Sequence, residues 1–254
     1  MTRIIQIEVQ ETVMQIEGSV ALVTGANRGI GRAFAEELMN RGAAKVYAAV
    51  RDVATVTDPR LVPVQLDVTD ADRVAAVARE LGDVTLLVNN AGIGHAGLPL
   101  NASIDAARLE LETNYLGVVS LMQAFAPVLA RNGGGSFVNV LSGYAWVAMP
   151  LLSTYAASKA AAWNFTNAAR IELKRQGTAV VAVHSGFVDT DLTAPLDVEK
   201  ISPAMVAASA LDALEANEPE AVVDEFSHRV KAGLSDDQRT LYPRVEQEFL
   251  ALAS

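Results

Sequence analysis

The sequence has no cysteine and only three histidines, His95, His184 and His228, which are far apart along the chain. Without cysteine the chain can form no disulfide, no thiolate metal site and no cysteine nucleophile. Histidines at such separations do not give the closely spaced ligand pairs that are typical of zinc sites. The sequence therefore predicts no metal site.

Long apolar runs and a surplus of positive charge are also lacking. No uninterrupted apolar run reaches the ~20 residues of a membrane helix, and residues 1–19 lack the basic start and apolar stretch of a secretory signal. The formal net charge of −10 repels a phosphate backbone. We therefore expect a cytoplasmic protein that binds neither membranes nor nucleic acids.

The 254 residues fit one hydrophobic core, so residues 1–254 are predicted to form a single domain. Residues 1–18 are interpreted as an N-terminal extension in which Met14 is an alternative start, and residues 187–254 as a substrate-lid and C-terminal region. Apolar, β-branched runs predict strands over 20–24, 46–50, 62–66, 84–88, 136–141, 178–183 and 221–223. Helical spacing of apolar residues predicts helices over 30–41, 70–81, 103–131, 152–176 and 202–215.

This alternation of strands and helices predicts an α/β fold. Strands that are apolar throughout are typical of a parallel sheet covered on both faces. Helices between them indicate βαβ units with right-handed crossovers. The predicted architecture is a doubly wound (Rossmann) parallel sheet of about seven strands with helices on both faces, in three α/β/α layers.

A glycine-rich turn, Thr24-Gly25-Ala26-Asn27-Arg28-Gly29-Ile30-Gly31, follows the first predicted strand. Glycines permit a sharp strand-to-helix turn. They also let a pyrophosphate approach the N–H groups at a helix N-terminus, where the helix dipole favours negative charge. A glycine turn alone also occurs without a ligand, and its spacing here is GxxxGxG rather than GxGxxG. Its position after the first strand favours a nucleotide.

The residues after the second strand bear on which dinucleotide binds. An acidic residue at the strand end reads the 2′-hydroxyl of NAD, whereas an arginine accommodates the 2′-phosphate of NADP. Here Val50 fills the acidic position and Arg51 follows it, while Arg28 in the glycine turn can face the same phosphate. The pattern favours NADP(H) over NAD(H), although Arg51 could instead pair with Asp52. Asp67, after the third strand, either binds the adenine edge, caps the next helix, or does both.

Tyr155 and Lys159 are spaced to share one face of the predicted helix 152–176. A phenol ordinarily ionises near pH ~10, and a cationic neighbour lowers that pKa. The pair is therefore suited to relaying a proton to a carbonyl oxygen. Ser142, after the fifth strand, could bind and orient the same oxygen. Taken separately, such a Tyr–Lys pair is more often a surface feature, and such a serine a cap or turn residue.

Together, residues 19–215 resemble the single-domain branch of the short-chain dehydrogenase/reductase family, and carbonyl reductases in particular. The motifs that carry the resemblance are the glycine turn, Asn89-Asn90-Ala91-Gly92, Asn114, Ser142, Tyr155 and Lys159, in that order. The resemblance implies reversible reduction of a ketone or aldehyde by a nicotinamide cofactor, with Tyr155 as general acid and base and Ser142 positioning the oxygen. It also implies that Lys159 holds the nicotinamide ribose, and that the backbone of Asn114 holds a water linking Lys159 to solvent.

The predicted cofactor-binding residues come from the turn and from the resemblance. They are Gly25, Asn27, Arg28, Gly29, Ile30, Gly31, Arg51, Asp67, Val68, Asn90, Ala91, Gly92, Tyr155, Lys159, Gly186, Val188 and Thr190. The predicted pocket residues are Gly94, His95, Gly143, Tyr144, Met149, Pro150, Phe187 and Leu192, with Ser142, Tyr144 and Phe187 as substrate contacts. Most are apolar or aromatic, which favours a hydrophobic carbonyl or alcohol as the partner.

Three features of the sequence leave alternatives open. Ser185 replaces the proline that the family usually has, which makes the turn after the sixth strand less rigid. The chain lacks the glycine-rich ending common in tetrameric members, so either a homodimer that pairs helices 103–131 and 152–176 or a homotetramer is possible. The alternative functions are an NADP-binding sensor without turnover and a nucleotide-sugar epimerase-like enzyme.

Overall fold

The computed structural model describes residues 15–236, 238–239, 242–243 and 245–247. Most of the predicted N-terminal extension, residues 1–14, lies outside this range. The strands are β1 (Val20–Thr24), β2 (Lys45–Val50), β3 (Val62–Gln65), β4 (Leu86–Asn89), β5 (Gly135–Val140), β6 (Thr178–His184) and β7 (Glu220–Val222). The helices are α1 (Gly29–Asn40), α2 (Ala71–Glu80), α3 (Ile104–Leu111), α4 (Gly117–Arg131), α5 (Ser153–Leu173), α6 (Pro203–Glu215) and α7 (Glu225–Ala232).

The seven strands form one parallel sheet in the order β3-β2-β1-β4-β5-β6-β7. The chain runs outward from β1 to β3 and then returns to pair β4 with the other side of β1. The strand order therefore reverses between β1 and β4, which is where doubly wound sheets bind ligands. The predicted doubly wound parallel sheet is confirmed.

Two apolar cores lie on opposite faces of the sheet. Along β1, Ala21 and Val23 enter one core and Leu22 enters the other, as the alternation of side chains in a strand requires. Phe34 of α1 belongs to the first core and Phe125 of α4 to the second, and both are fully buried. Helices therefore cover both faces, and the predicted three-layer α/β/α arrangement is confirmed.

The predicted helix 103–131 is continuous but not uniform. Residues Glu112–Leu116, between α3 and α4, form a π-helical turn that contains Asn114. Pro127 does not end α4, which continues to Arg131. Among the described residues, Ile104–Arg131 is the one helix that is long and apolar enough, by length and composition, to cross a membrane. This is weak support for a span, because core helices of soluble proteins share these properties and α4 contributes Phe125 and Leu129 to the core.

Side chains at the carboxyl ends of the strands join the central part of the sheet. The hydroxyl of Thr24, at the end of β1, accepts hydrogen bonds from the backbone N–H groups of Asn90 (2.9 Å) and Ala91 (3.0 Å). The side-chain amide of Asn90 in turn donates to the carbonyl of Thr24 at 2.8 Å. These bonds fix the ends of β1 and β4 relative to each other, directly beside the glycine turn.

Candidate active site

A cavity of about 710 Å³ opens at the carboxyl edge of the sheet. All predicted cofactor-binding residues except Gly31 line it, and so do Ser142, Tyr144 and Phe187. At Gly31, which does not line the cavity, a Cβ would lie 2.2 Å from the carbonyl oxygen of Gly25. Gly31 therefore allows α1 to pack closely behind the turn, and its predicted contact with the cofactor stays a prediction.

The turn that opens the cavity presents the N-terminus of α1. Gly25 and Gly29 have φ angles of 67° and 53°, which favour glycine. Arg28 is the N-cap residue, yet its side chain makes no capping hydrogen bond, and the first turn of α1 has no acidic residue. The first N–H groups of α1 thus have no carboxylate or hydroxyl cap, although such groups ordinarily require a partner. The arrangement suits an anionic ligand.

Two arginines flank this turn. Arg28 forms an ion pair with Asp191 at 2.7 Å, and both side chains are largely exposed. Arg51 lines the cavity after β2. The alternative partner of Arg51, Asp52, accepts a hydrogen bond from the backbone N–H of Ala54 at 3.0 Å and caps the short 3-10 turn Val53–Thr55. Both guanidinium groups thus lie at the end of the cavity formed by the turn and β2.

Asp67 also faces the cavity, and of its two predicted roles the capping of α2 belongs to another residue. Asp70 is the N-cap of α2 and accepts from the backbone N–H of Arg73 at 2.9 Å. Asp67 accepts instead from the backbone N–H (3.0 Å) and the hydroxyl (2.7 Å) of Thr69. The backbone hydrogen bond from Thr69, the hydroxyl of the same residue and the nearby charge of Arg51 lower the pKa of Asp67.

Tyr155 and Lys159 lie in α5 and meet Ser142 in the cavity. Burial among the surrounding groups raises the pKa of Tyr155 to about 12, while a hydrogen bond with Ser142 acts in the opposite direction. Burial lowers the pKa of Lys159 to about 8. The Lys159 ammonium donates to the carbonyl of Val140 at 2.8 Å and lies 5.9 Å from the centre of the Tyr155 ring.

This arrangement differs from the expectation that Lys159 lowers the pKa of Tyr155. The ammonium is directed at Val140, and the desolvation of the phenol outweighs the hydrogen bond with Ser142. The neutral phenol is therefore the stable form in the structure as it stands. A phenol in this state can donate a proton, whereas abstracting one from an alcohol requires additional positive charge beside it.

Asn114 is fully buried and does not line the cavity. Its side-chain oxygen accepts from the N–H of Ile93 at 2.9 Å, and its side-chain nitrogen donates to the carbonyl of Ile93 (2.8 Å) and the hydroxyl of Ser158 (2.9 Å). The side chain thus joins the segment after β4 to α5. A Cβ at Gly92 would lie 3.2 Å from Asn114 Oδ1 and 3.5 Å from Lys159 Nζ, so a larger residue there would crowd both groups.

The turn carrying Ser142 is held by the turn after β6. The hydroxyl of Ser142 accepts from the N–H of Tyr144 (3.1 Å) and donates to the carbonyl of Ser185 (3.3 Å). The same carbonyl accepts from the N–H of Gly143 at 2.9 Å. On its other side, the N–H of Gly186 donates to Asp224 at 2.6 Å, and Asp224 also caps α7. Ser185, in place of the usual proline, is thus in a turn anchored from two directions.

The remaining part of the cavity is mostly apolar. Of the predicted pocket residues, Gly94, Tyr144, Phe187 and Leu192 line it, whereas His95, Gly143, Met149 and Pro150 do not. Met149 packs instead in an aromatic cluster with Tyr144 and Trp146. Apolar cavity residues that the sequence did not indicate include Ile93, Ala96, Leu109, Leu152, Pro195 and Leu196. Pro195 and Leu196 fall within residues 187–254, the region predicted to form the substrate lid and the C-terminal part.

A doubly wound sheet that carries this glycine turn together with Ser142, Tyr155 and Lys159 defines the short-chain dehydrogenase class, and comparison with known proteins agrees. The family model for short chain dehydrogenases matches residues 19–200. The chain belongs to the short-chain dehydrogenase family. Within the described residues, no group of three or more histidine, aspartate or glutamate side chains is placed to hold a metal ion.

Individual relatives are similar over most of the chain. A short chain dehydrogenase from Burkholderia cenocepacia J2315, whose crystal structure is a complex with NADP, is 41% identical with a TM-score of 0.87, covering 91% of this chain and 99% of that one. The 3-oxoacyl-(acyl-carrier-protein) reductase FabG of Vibrio harveyi is 32% identical over 193 residues, 72% of this chain and 79% of that protein. The probable oxidoreductase EphD of Mycobacterium tuberculosis is 35% identical over 230 residues, 82% of this chain. The chain spans only 39% of the length of EphD.

Proposed function

We propose that the protein is an NADP(H)-dependent reductase that converts a hydrophobic ketone or aldehyde reversibly to an alcohol. The observation that carries the proposal is the meeting of Ser142, Tyr155 and Lys159 in the cavity that begins at the N-terminus of α1. The proton donor Tyr155, the oxygen-positioning group of Ser142 and the anion-binding turn then share one cavity, as hydride transfer to a carbonyl requires.

The residues of the turn fit a dinucleotide. The first N–H groups of α1 lack a side-chain cap, and Gly25 and Gly29 leave room for a pyrophosphate beside them. Arg28 and Arg51 would hold a 2′-phosphate, with Arg28 exchanging Asp191 for that phosphate. Asp67 would bind the adenine edge. When bound, the cofactor supplies the hydride, and the NADP complex of the Burkholderia relative supports the choice of NADP over NAD.

The catalytic roles follow from the protonation states. Tyr155 keeps its proton at neutral pH and donates it to the carbonyl oxygen, while the hydroxyl of Ser142 holds that oxygen in place. For alcohol oxidation the phenol must ionise, so Lys159 has to turn its ammonium from Val140 toward Tyr155. The backbone of Asn114, in the π-helical turn, would hold a water that links Lys159 to solvent as a proton relay.

The substrate class follows from the lining of the cavity. Tyr144, Leu152, Phe187, Leu192 and Leu196 surround the space beyond the catalytic groups. Asp191, the carboxylate nearest these residues along the chain, is largely exposed to solvent and so lies at the surface rather than among them. A charged substrate would find no partner there, and transferring a charge to an unpaired apolar site is costly. Aryl ketones, diketones, quinones and larger aldehydes fit this lining.

A screen of NADPH oxidation over those four compound classes tests the proposal, with Tyr155→Phe as the matched variant. We expect turnover of at least one class by the wild type and a loss of ~10²-fold or more in Tyr155→Phe with NADPH binding unchanged. A protein that binds NADPH but reduces nothing in the screen would instead support a sensor. A nucleotide-sugar epimerase would act on nucleotide sugars without net NADPH consumption.

We also propose a homodimer. The helices α3 and α5 carry apolar side chains that are strongly exposed in the single chain, among them Ile104 (65%) and Ile171 (78%). Covering such side chains is favourable at roughly 25 cal/mol per Å² of apolar surface. Sedimentation velocity should show a dimer that Ile171→Lys weakens, and an unchanged monomer in both proteins would refute this assembly.

A further inference from the structure

Glu110 is a buried carboxylate that the roles above do not use. It lies in α3, is 0% exposed and does not line the cavity. One side-chain oxygen accepts from the backbone N–H of His95 at 2.7 Å and lies 3.4 Å from Nδ1 of the same residue. The other oxygen has no hydrogen-bond partner among the described residues. Burying a carboxylate with so few partners opposes folding, which points to a benefit of another kind.

Glu110 and Asn114 hold the same segment of chain. They are one helical turn apart, and together they bind both ends of the segment 93–95: Asn114 binds Ile93 through two hydrogen bonds and Glu110 binds His95. Gly94 lies between these anchors. A Cβ at Gly94 would lie 3.2 Å from Cδ2 of Tyr155, so the backbone at this position packs directly against the phenol ring. The carboxylate of Glu110 therefore helps to fix the surface on which the Tyr155 ring rests.

The charge of Glu110 also reaches Tyr155. Ser142 forms a hydrogen bond with this phenol, the Lys159 ammonium lies 5.9 Å from the centre of its ring, and Glu110 of α3 acts on it through its negative charge. Burial raises the pKa of Tyr155 first, and the negative charge of Glu110 raises it further. On the side of Glu110, the titratable neighbour is His95 at the protein surface. A buried carboxylate is poorly screened by water and salt, so its effect on the phenol persists at physiological ionic strength.

We propose that Glu110 is a positioning residue of the reductase: through its hydrogen bond to the N–H of His95 it fixes Gly94 against the ring of Tyr155. The inference rests on the proposed function. The negative charge of Glu110 makes Tyr155 a weaker acid and also opposes the phenolate that alcohol oxidation needs, so the benefit of the carboxylate is the placement of the ring. Glu110 touches neither the cavity nor the reacting atoms and acts only through the segment 93–95 and its field.

Two substitutions separate the two effects. Glu110→Gln keeps an oxygen that can accept from His95 and removes the charge, so the pH profile of kcat should move to lower pH in both reaction directions, while the KM for NADPH stays unchanged. Glu110→Met removes the charge and the acceptor. It should also lower kcat by about ten- to a hundredfold through displacement of the ring. Glu110→Met leaves the N–H of His95 without its acceptor, so its melting temperature should fall, whereas Glu110→Gln retains that hydrogen bond.

Glu112→Gln is the matched control, because Glu112 belongs to the same helical run but is exposed, and it should leave both kcat and the pH profile at wild-type values. If the profile of Glu110→Gln coincides with that of the wild type, and Glu110→Met keeps wild-type kcat, the role given to Glu110 is wrong. A wild type that reduces no carbonyl, or an active Tyr155→Phe, refutes the proposed function itself. Circular dichroism and NADPH binding on every variant show that loss of fold does not mimic either result.

Discussion

The buried ammonium of Lys159 makes the stability of the fold depend on pH in a way that can be calculated. Lys159 is 5% exposed, and burial lowers its pKa from 10.5 to about 8. The gap of about 2.5 pH units corresponds to about 3 kcal/mol, since one unit is worth about 1.4 kcal/mol. Below pH 8 the ammonium is charged in both the folded and the unfolded chain, and the full cost of burying it weakens the fold.

The sign of the effect follows from proton counting. Between pH 8 and 10.5 the unfolded chain keeps the lysine proton and the folded chain has lost it. The unfolded state therefore binds more protons, and the free energy of unfolding rises with pH across this window. Tyr155, whose pKa is raised from 10.0 to about 12, acts with the opposite sign and only above pH 10.

Lys159→Met removes the titration and isolates its contribution. From pH 8 to 10.5 the wild type should gain about 3 kcal/mol in its free energy of unfolding relative to the variant. At neutral pH the variant gains about 3 kcal/mol from removal of the buried charge and loses roughly 1–3 kcal/mol because the carbonyl of Val140 is left without its donor, so it should be at least as stable as the wild type. Urea denaturation followed by circular dichroism at a series of pH values measures both quantities.

Lys174→Met is the control, because Lys174 is exposed after the end of α5 and its loss should leave a curve parallel to that of the wild type. Parallel curves for the wild type and Lys159→Met between pH 8 and 10.5 would refute the reasoning. The ammonium would then be well solvated, and the cavity would be wetter and more polar than the packing around α5 indicates.

Two further predictions concern cofactor binding. In steady-state kinetics, Arg51→Ala should raise the KM for NADPH by about tenfold or more and leave the KM for NADH unchanged, because a charge-assisted hydrogen bond is worth roughly 1.5–3 kcal/mol. Equal losses with both cofactors would contradict the role given to Arg51. Gly31→Ala places a Cβ 2.2 Å from the Gly25 carbonyl, so the melting temperature and NADPH affinity should both fall in thermal and fluorescence titrations. Wild-type values for both would show that α1 can move away from the turn.

The strands and the class of the site were predictable from the sequence because their signals are local. An apolar run such as residues 20–24 indicates a buried strand. The spacing of Tyr155 and Lys159 indicates that both side chains lie on one face of a helix. The contacts that set protonation were not predictable, because they join distant residues. Lys159 reaches Val140, and its ammonium consequently does not act on the phenol in the expected way.

The run Leu109-Glu110-Leu111-Glu112 shows the same limit within one helix. The two glutamates are equivalent in pattern, and both would be placed on a solvated face. In the structure Glu110 is fully buried, whereas Glu112 is exposed. The difference arises from the segment 93–95, whose N–H group at His95 needs an acceptor, and from the π-helical turn that follows α3. Neither is visible in the order of residues along α3.

The bond between Gly186 and Asp224 determines how much of the chain a working site needs. The family match covers residues 19–200 and stops before β7. Yet Asp224 caps α7 with one oxygen and restrains the backbone of Gly186 with the other. A chain shortened before β7 would lose this hydrogen bond along with an edge strand, and the turn carrying Ser185 would lose one of its two anchors. Chimeras that exchange substrate-recognition segments between relatives should therefore keep the residues through the end of α7 together.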